Sequence, residues 1–308
     1  MKNPKLAAHL EQQLANYRVG GEALPGIPSQ AELTALVAQM VDSVARINYV
    51  KTIATRDIAP GRLDPKNAHM FDPLRAAIQH ISDGNKDEAF WLIFLFVHCG
   101  KNLTKGYSLL RMVYGAFNDQ FVWTWDKFSA DPKLFSMWLH QHLDELTKQR
   151  KNFPFGNHRK YESLKHLDVT LASYADWVGP SRSHRKLLDA AKAEAGTDPK
   201  ELFDYLYYSM DAVHRFGRTG KFDYLTMVGK IGLENIEPPS AYMIHGTGPV
   251  RGARLLFGGA VDKESLSKKK LDELSVELDK ALGVGMQVIE DSLCNWQKSP
   301  AQYLPFRG

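Results

Sequence analysis

The sequence predicts an all-α protein with two helical lobes. Apolar residues recur at the spacing of an amphipathic helix along almost the whole chain. No segment sustains the alternation of apolar and polar residues that marks a half-buried strand. Aspartate-proline pairs precede several helical segments, where the aspartate can cap a helix and the proline fits its first turn. Together these patterns favour about a dozen helices.

The predicted helices have recognisable start and stop signals. Ser29 and Glu32 form a capping box at the start of a helix expected over residues 29–49. Pro73 lies in the first turn of a helix expected over residues 71–81, which ends at an Asp-Gly pair. Further helices are expected after the Asp-Pro pairs at 131–132 and 198–199, and over residues 222–233, 250–257 and 262–282.

Targeting and redox signals point to the cytoplasm. The most apolar run, residues 89–99, is about half as long as a membrane span and is expected to be a buried core helix. The N-terminal residues carry charges throughout, unlike a secretion signal. The two cysteines, Cys99 and Cys294, are too few for a disulfide scaffold or a zinc cluster. We therefore expect a cytoplasmic protein that does not associate with membranes.

The helical pattern is interrupted most clearly at residues 150–160 and 178–183, where Pro, Gly and Asn accumulate. We place a boundary near residue 160, between an N-terminal helical lobe, 1–160, and a C-terminal helical lobe, 161–308. A single continuous domain is the alternative.

Positive charge is local rather than general, since the net charge is only +4 over 308 residues. Arg159 and Lys160 lie in a loop with Phe153 and Phe155, a combination suited to phosphates and stacked bases. A solvated connector with its phenylalanines in the core explains that loop equally well. Two further candidate cations for a nucleic-acid backbone are Arg215 and Arg218.

The most informative stretch is residues 222–262. A predicted helix, a hairpin containing Gly246, Thr247 and Gly248, and a second short helix follow one another. The two glycines permit positive φ and remove side chains, so the hairpin amides can approach a ligand closely. Amides at a helix start favour an anion, and Arg251 and Arg254 add positive charge. The alternative is an ordinary tight turn between two helices.

This hairpin and its second helix resemble those of helix-hairpin-helix DNA glycosylases. The whole chain resembles the alpha-glutamyl/putrescinyl-thymine pyrophosphorylase clade 3 family. The resemblance rests on the segments RINYV (46–50), FDPL (71–74), KDEAFW (86–91), FGNHRKYE (155–162), FGRTGKFDY (216–224) and GTGPVRGARLL (246–256). It implies a helix-hairpin-helix DNA glycosylase-like fold, with that motif over residues 222–262.

The resemblance also implies a substrate, because the family is linked to hypermodified pyrimidines of phage DNA and to antiviral defence in bacteria. We expect a DNA glycosylase that flips such bases, for example glucosylated 5-hydroxymethylcytosine, out of double-stranded DNA and leaves abasic sites. Bifunctional glycosylases carry a Schiff-base lysine where this chain has Val250, so a monofunctional enzyme is expected. The alternatives are a transferase or pyrophosphorylase acting on modified thymine, and a non-catalytic protein that binds modified DNA.

Two carboxylates are candidates for catalysis. In glycosylases the catalytic aspartate follows the second helix of the hairpin motif and opens the next helix. Asp262 has a similar sequence context, and its alternative role is a helix cap. Asp223, before the hairpin, is the second candidate, with a solvated or capping aspartate as the alternative. Because the common metal, Walker and dinucleotide motifs do not occur, we expect neither a metal nor a cofactor. No obligate protein partner is inferred.

Overall fold

A computed structural model describes residues 3–159 and 162–306. Within these residues the chain forms fourteen α-helices and one pair of two-residue antiparallel strands, which confirms the all-α prediction. The strands are β1 (Arg18–Val19) and β2 (Glu22–Ala23). The helices are α1 (Pro4–Asn16), α2 (Gln30–Ile53), α3 (Pro73–Ser82), α4 (Lys86–Cys99), α5 (Ser108–Tyr114), α6 (Trp125–Ala130), α7 (Pro132–Lys148), α8 (Leu167–Val178), α9 (His184–Ala195), α10 (Pro199–Ser209), α11 (Arg218–Lys230), α12 (Gly248–Gly258), α13 (Lys268–Leu282) and α14 (Met286–Trp296).

Local capping signals set most of the predicted helix starts. The side chain of Asp72 accepts a hydrogen bond from the backbone N–H of Arg75 at the start of α3, and Asp131 and Asp198 cap α7 and α10 in the same way. The helix expected from residue 262 begins later, at Lys268, because Ser267 supplies its cap. The predicted helix 222–233 corresponds to α11, and the predicted helix 250–257 corresponds to α12.

Backbone contacts divide the chain into two compact units. The first unit joins the residues up to Lys51 to Pro238–Phe306, and the second is formed by Thr52–Glu237. These units do not coincide with the lobes 1–160 and 161–308 expected from the sequence, since residue 160 falls inside the second unit. A local run of helix breakers shows where a helix ends, whereas a unit is defined by contacts between distant segments.

The core of the first unit brings both ends of its sequence together. Its fully buried side chains include Leu10, Leu36, Met40, Leu256, Leu278, Leu293 and Trp296. Helix α12 packs closely on α14, and a Cβ atom at Gly252 would lie 2.1 Å from the carbonyl oxygen of Leu293. Only a glycine permits this approach, which fixes the position of the hairpin that precedes α12.

The second unit is built around α4, whose residues 89–95 are almost completely buried. The prediction of a core helix here is confirmed. Trp91 stacks on Phe128 with ring centroids 4.5 Å apart and donates a hydrogen bond to the carbonyl of Trp123. Trp123 and Trp125 are each 1% exposed, so they pack in the core of this unit. None of the helices formed by the described residues is long and apolar enough to span a bilayer.

Candidate functional site

The hairpin of the first unit leads directly into α12. Met243–His245 forms a single 3-10 turn, Gly246 and Thr247 follow, and Pro249 lies in the first turn of the helix. Neither hairpin glycine uses the left-handed region that glycine permits; the left-handed residue is Tyr242, at φ 50°. Because α11 belongs to the second unit and α12 to the first, a helix-hairpin-helix pairing of the two stays a prediction.

Packing explains why residue 248 is a glycine. A Cβ atom at Gly248 would lie 2.5 Å from the sulfur of Cys294 on α14. The missing side chain therefore lets the start of α12 approach α14. The sequence had suggested that it lets the amides approach a ligand, and the two explanations are compatible, since one concerns the side-chain position and the other the backbone N–H groups.

Cationic side chains surround the start of α12. Lys268 donates from Nζ to the carbonyl of Ile244 at 3.0 Å, which stabilises the hairpin from α13. Thr247 and Arg251 are exposed, and no side chain of the described residues caps α12. Arg254 is only partly exposed and lies 3.7 Å from Glu264. The uncapped start of α12, with the exposed Arg251 and with Arg254 beside Glu264, can hold an anion such as a phosphate.

Asp262 has a different environment from the one the sequence predicted. It lies in an exposed turn, ahead of the Ser267 cap of α13, so it does not open a helix. Among the described residues of the first unit, neither a helix N-terminus nor an ion pair fixes its carboxylate. A catalytic role for Asp262 stays a prediction, but the geometry gives it little preorganisation.

Asp223 of the second unit is held by an arginine. Its Oδ2 accepts a hydrogen bond of 2.8 Å from the guanidinium of Arg159, whose Nε donates to the carbonyl of Val97. The Arg159 side chain is 10% exposed, whereas that of Asp223 is 42% exposed. A largely buried, doubly anchored cation thus fixes a carboxylate that solvent can still reach. The other cation predicted for this loop, Lys160, lies outside the described residues.

The buried side of α11 is fixed next to Asp223. The hydroxyl of Tyr224 is 2.8 Å from that of Tyr174, which in turn is 2.6 Å from Nε2 of His184. The other ring nitrogen of His184 lies 2.7 Å from the carboxylate of Asp87. This chain of hydrogen bonds restrains the helix turn that presents Asp223.

A buried histidine and a glutamate lie in the electrostatic field of Arg159. Burial, reinforced by the positive charges of Arg159 and Arg215, lowers the pKa of His98 to about 3. The pKa of Glu162 is raised because burial outweighs the favourable effect of the same two arginines. Around Arg159 the described residues therefore bring together the carboxylates of Asp223 and Glu162, a second arginine, Arg215, and the neutral imidazole of His98.

The loop that carries Arg159 is anchored to the end of α4. The backbone N–H of Gly156 donates to the carbonyl of Cys99 at 2.8 Å. A Cβ atom at Gly156 would lie 2.7 Å from the backbone of Gly100, so the two chain segments touch through their glycines. This contact brings Gly156 to the end of α4 and helps to set the position of Arg159, three residues later.

The two arginines before Asp223 differ in exposure. Arg215 is exposed, as a backbone-binding cation requires. Arg218 is only 8% exposed and lies 4.8 Å over the ring of Phe222. In this conformation Arg218 contributes to packing, so the expectation that it contacts a DNA strand is not supported by its position.

Sequence reasoning missed His98 and Glu162. His98 lies in the apolar run of α4, where the surrounding residues indicate a core helix and not a functional site. Glu162 is the last residue of the FGNHRKYE segment, in which the basic residues indicate phosphate binding and no local pattern indicates a carboxylate site. Only the fold brings both residues to Arg159.

Comparisons with known proteins identify the family but provide no structural template. Neither a curated protein nor a solved structure matches the chain significantly. Residues 31–308 match the family described as Alpha-glutamyl/putrescinyl thymine pyrophosphorylase clade 3, a description that names an enzyme and a modified thymine. The match includes the hairpin, Arg159 and Asp223. The chain therefore belongs to the alpha-glutamyl/putrescinyl thymine pyrophosphorylase clade 3 family.

Proposed function

We propose that this protein is a monofunctional DNA glycosylase of bacterial antiviral defence. It excises hypermodified pyrimidines, such as glucosylated 5-hydroxymethylcytosine, from double-stranded phage DNA and leaves abasic sites. The observation that carries the proposal is the ion pair between Asp223 and Arg159. The family description supports a modified base as the substrate.

The Asp223 carboxylate is suited to cleavage of an N-glycosidic bond. Departure of the base builds positive charge on the deoxyribose, and a fixed anion stabilises that charge. The Arg159 contact limits the motion of the Asp223 carboxylate. Since the side chain is part-exposed, it can approach a sugar whose base has been flipped out of the duplex, and it can orient the attacking water.

The hairpin would hold the DNA rather than read it. The uncapped start of α12 and the exposed Arg251 suit a phosphate, and phosphate contacts position a duplex without sequence information. Val250, 3% exposed in α12, provides no amine for a Schiff base. We therefore expect an intact strand with an abasic site, and no covalent adduct after borohydride treatment.

The test is base release from phage DNA by two matched variants. Genomic DNA from phages with different base chemistry is incubated with the protein and probed for abasic sites. We expect Asp223→Asn to lower base release at least about a hundredfold, the scale of one preorganised electrostatic group, with DNA binding retained. Asp262→Asn is the control and should stay active. If instead Asp262→Asn is inactive and Asp223→Asn is active, the catalytic carboxylate is Asp262. If both variants stay active, the proposed glycosylase mechanism is wrong.

The family description favours a second candidate, a pyrophosphorylase or other transferase acting on modified thymine. The products distinguish the two: a glycosylase releases a free base, whereas a pyrophosphorylase forms a diphosphate-linked product. Modified-DNA binding without any product would instead indicate a non-catalytic reader. Mass spectrometry of the small-molecule fraction separates all three outcomes.

A further inference from the structure

An open cleft of about 550 Å³ lies in the second unit, between the end of α7 and the loop that carries Arg159. Its volume falls in the range of small-molecule sites. The lining residues that matter here are Asp144, Thr147, Arg150, Phe153, Phe155 and Glu162. None of them has a role in the mechanism proposed above.

The two phenylalanines are held in place by neighbouring rings. Phe155 meets the buried ring of His98 edge to face, with centroids 6.0 Å apart. Phe153 contacts Phe117 in the same way, at 6.1 Å. Rings fixed like this are suitable surfaces for stacking a nucleobase, because stacking requires no reorganisation of the protein.

Glu162 connects the cleft to the Asp223 site. It lines the cleft, its backbone N–H donates to the carbonyl of Arg159 at 2.9 Å, and its side chain interacts with Arg159 and Arg215 electrostatically. Arg159 in turn holds Asp223. Arg159 therefore interacts both with Glu162 in the cleft and with Asp223, the proposed catalytic carboxylate.

Charges of both signs stand at the exposed edge of the cleft. Asp144, at the end of α7, and Arg150, just beyond it, are both exposed. An unmodified pyrimidine has no charged group for either side chain. A pyrimidine with a polar arm would reach them, and a cationic amine on that arm would pair with the carboxylate of Asp144.

Building on the proposed function, we infer that this cleft receives the modified pyrimidine after its extrusion from DNA. Phe153 and Phe155 stack on the base, and Asp144 binds an amine on its side arm. The cleft is thus the part of the protein that distinguishes a hypermodified base from an ordinary one.

Equilibrium binding to three short duplexes of one sequence tests this inference. One duplex contains a single α-putrescinylthymine, the second contains thymine there, and the third contains glucosylated 5-hydroxymethylcytosine. The wild-type protein should bind the first at least tenfold more tightly than the second. Thr147→Trp, which fills the cleft from an exposed helix position, should remove this preference and keep the affinity for the thymine duplex. Lys148→Trp, one residue further and outside the cleft, should behave as wild type.

A second matched pair tests the charge. Asp144→Asn should reduce affinity for the putrescinyl duplex about tenfold and leave the glucosylated duplex unchanged, whereas Glu145→Gln should change neither. If Thr147→Trp does not fold, this second pair of variants still tests whether the cleft binds the modified base. A wild-type protein without preference, or variants that keep it, would overturn the cleft as the base pocket.

Base release is measured in parallel, so that the two proposals can fail separately. Base release with a preference unaffected by Thr147→Trp would leave the glycosylase standing and exclude this cleft. A preference lost in Thr147→Trp without any base release would leave the cleft standing as a reader of modified bases and exclude the glycosylase.

Discussion

Arg159 and Asp223, which are 64 residues apart in the sequence, form a hydrogen-bonded ion pair in which the cation is the more buried partner. The second bond of Arg159, to the Val97 carbonyl, ties the pair to the backbone of α4. The guanidinium can make both bonds at once because its N–H groups form a rigid fork. Asp223 is therefore positioned by α4 as well as by its own helix.

Replacing Arg159 tests this positioning role. Arg159→Lys keeps the charge but cannot reproduce both bonds, and we expect base release to fall about tenfold, with Arg159→Met lower still. The melting temperature and the affinity for unmodified DNA are measured alongside. Equal activity of Arg159→Met and the wild type would show that Asp223 needs no arginine.

Removing the exposed cation of α12 should weaken DNA binding without regard to the base. We expect Arg251→Ala to lower affinity for modified and unmodified duplexes by the same factor, and to reduce the slope of log affinity against log salt by about one. Arg18→Ala, at another exposed position of the first unit, is the matched control. A loss confined to modified DNA would mean that Arg251 contacts the base instead.

The close approach of α12 to α14 predicts a specific steric cost. Gly248→Ala should lower the free energy of unfolding by roughly 1–3 kcal/mol, because its Cβ would overlap the Cys294 sulfur. Cys294→Ala should relieve part of this loss in the double variant. Gly246→Ala, whose nearest neighbour would be 3.3 Å away, is the control and should cost less. Additive effects of the first two substitutions in denaturant unfolding would contradict the contact.

The buried imidazole predicts a pH dependence of stability. The pKa of His98 falls from an ordinary 6.5 to about 3 on folding. Between these values the unfolded chain binds a proton that the folded chain does not. The free energy of unfolding therefore decreases as the pH falls through this window, by up to about 1.4 kcal/mol per pH unit.

The variant His98→Leu has no imidazole to titrate at this position. Its free energy of unfolding should fall less steeply than that of the wild type between about pH 6 and about pH 4, measured by denaturant titration at each pH. His9→Leu, at an exposed position of α1, is the control. Parallel slopes for His98→Leu and the wild type would assign the acid sensitivity to other groups.

Features that depend on residues close together in the sequence could be predicted, whereas contacts between distant segments could not. The caps at Asp72, Asp131 and Asp198 involve residues two or three positions away, so the pattern contains all the necessary information. Asp262 failed as a helix start because Ser267, five residues later, offers a competing cap and only the folded chain decides between them. The Arg159 contact with Asp223 depends on packing between distant segments, which no local pattern records.

The first unit is built from two segments that are far apart in the sequence, and this affects its folding during synthesis on the ribosome. Helix α1 and most of α2 leave the ribosome well before their core partners, which belong to Pro238–Phe306 and include Leu256, Leu278 and Leu293. During translation the second unit, Thr52–Glu237, is complete before the first can close. The apolar faces of α1 and α2 therefore stay without these native partners until the helices of Pro238–Phe306 have left the exit tunnel.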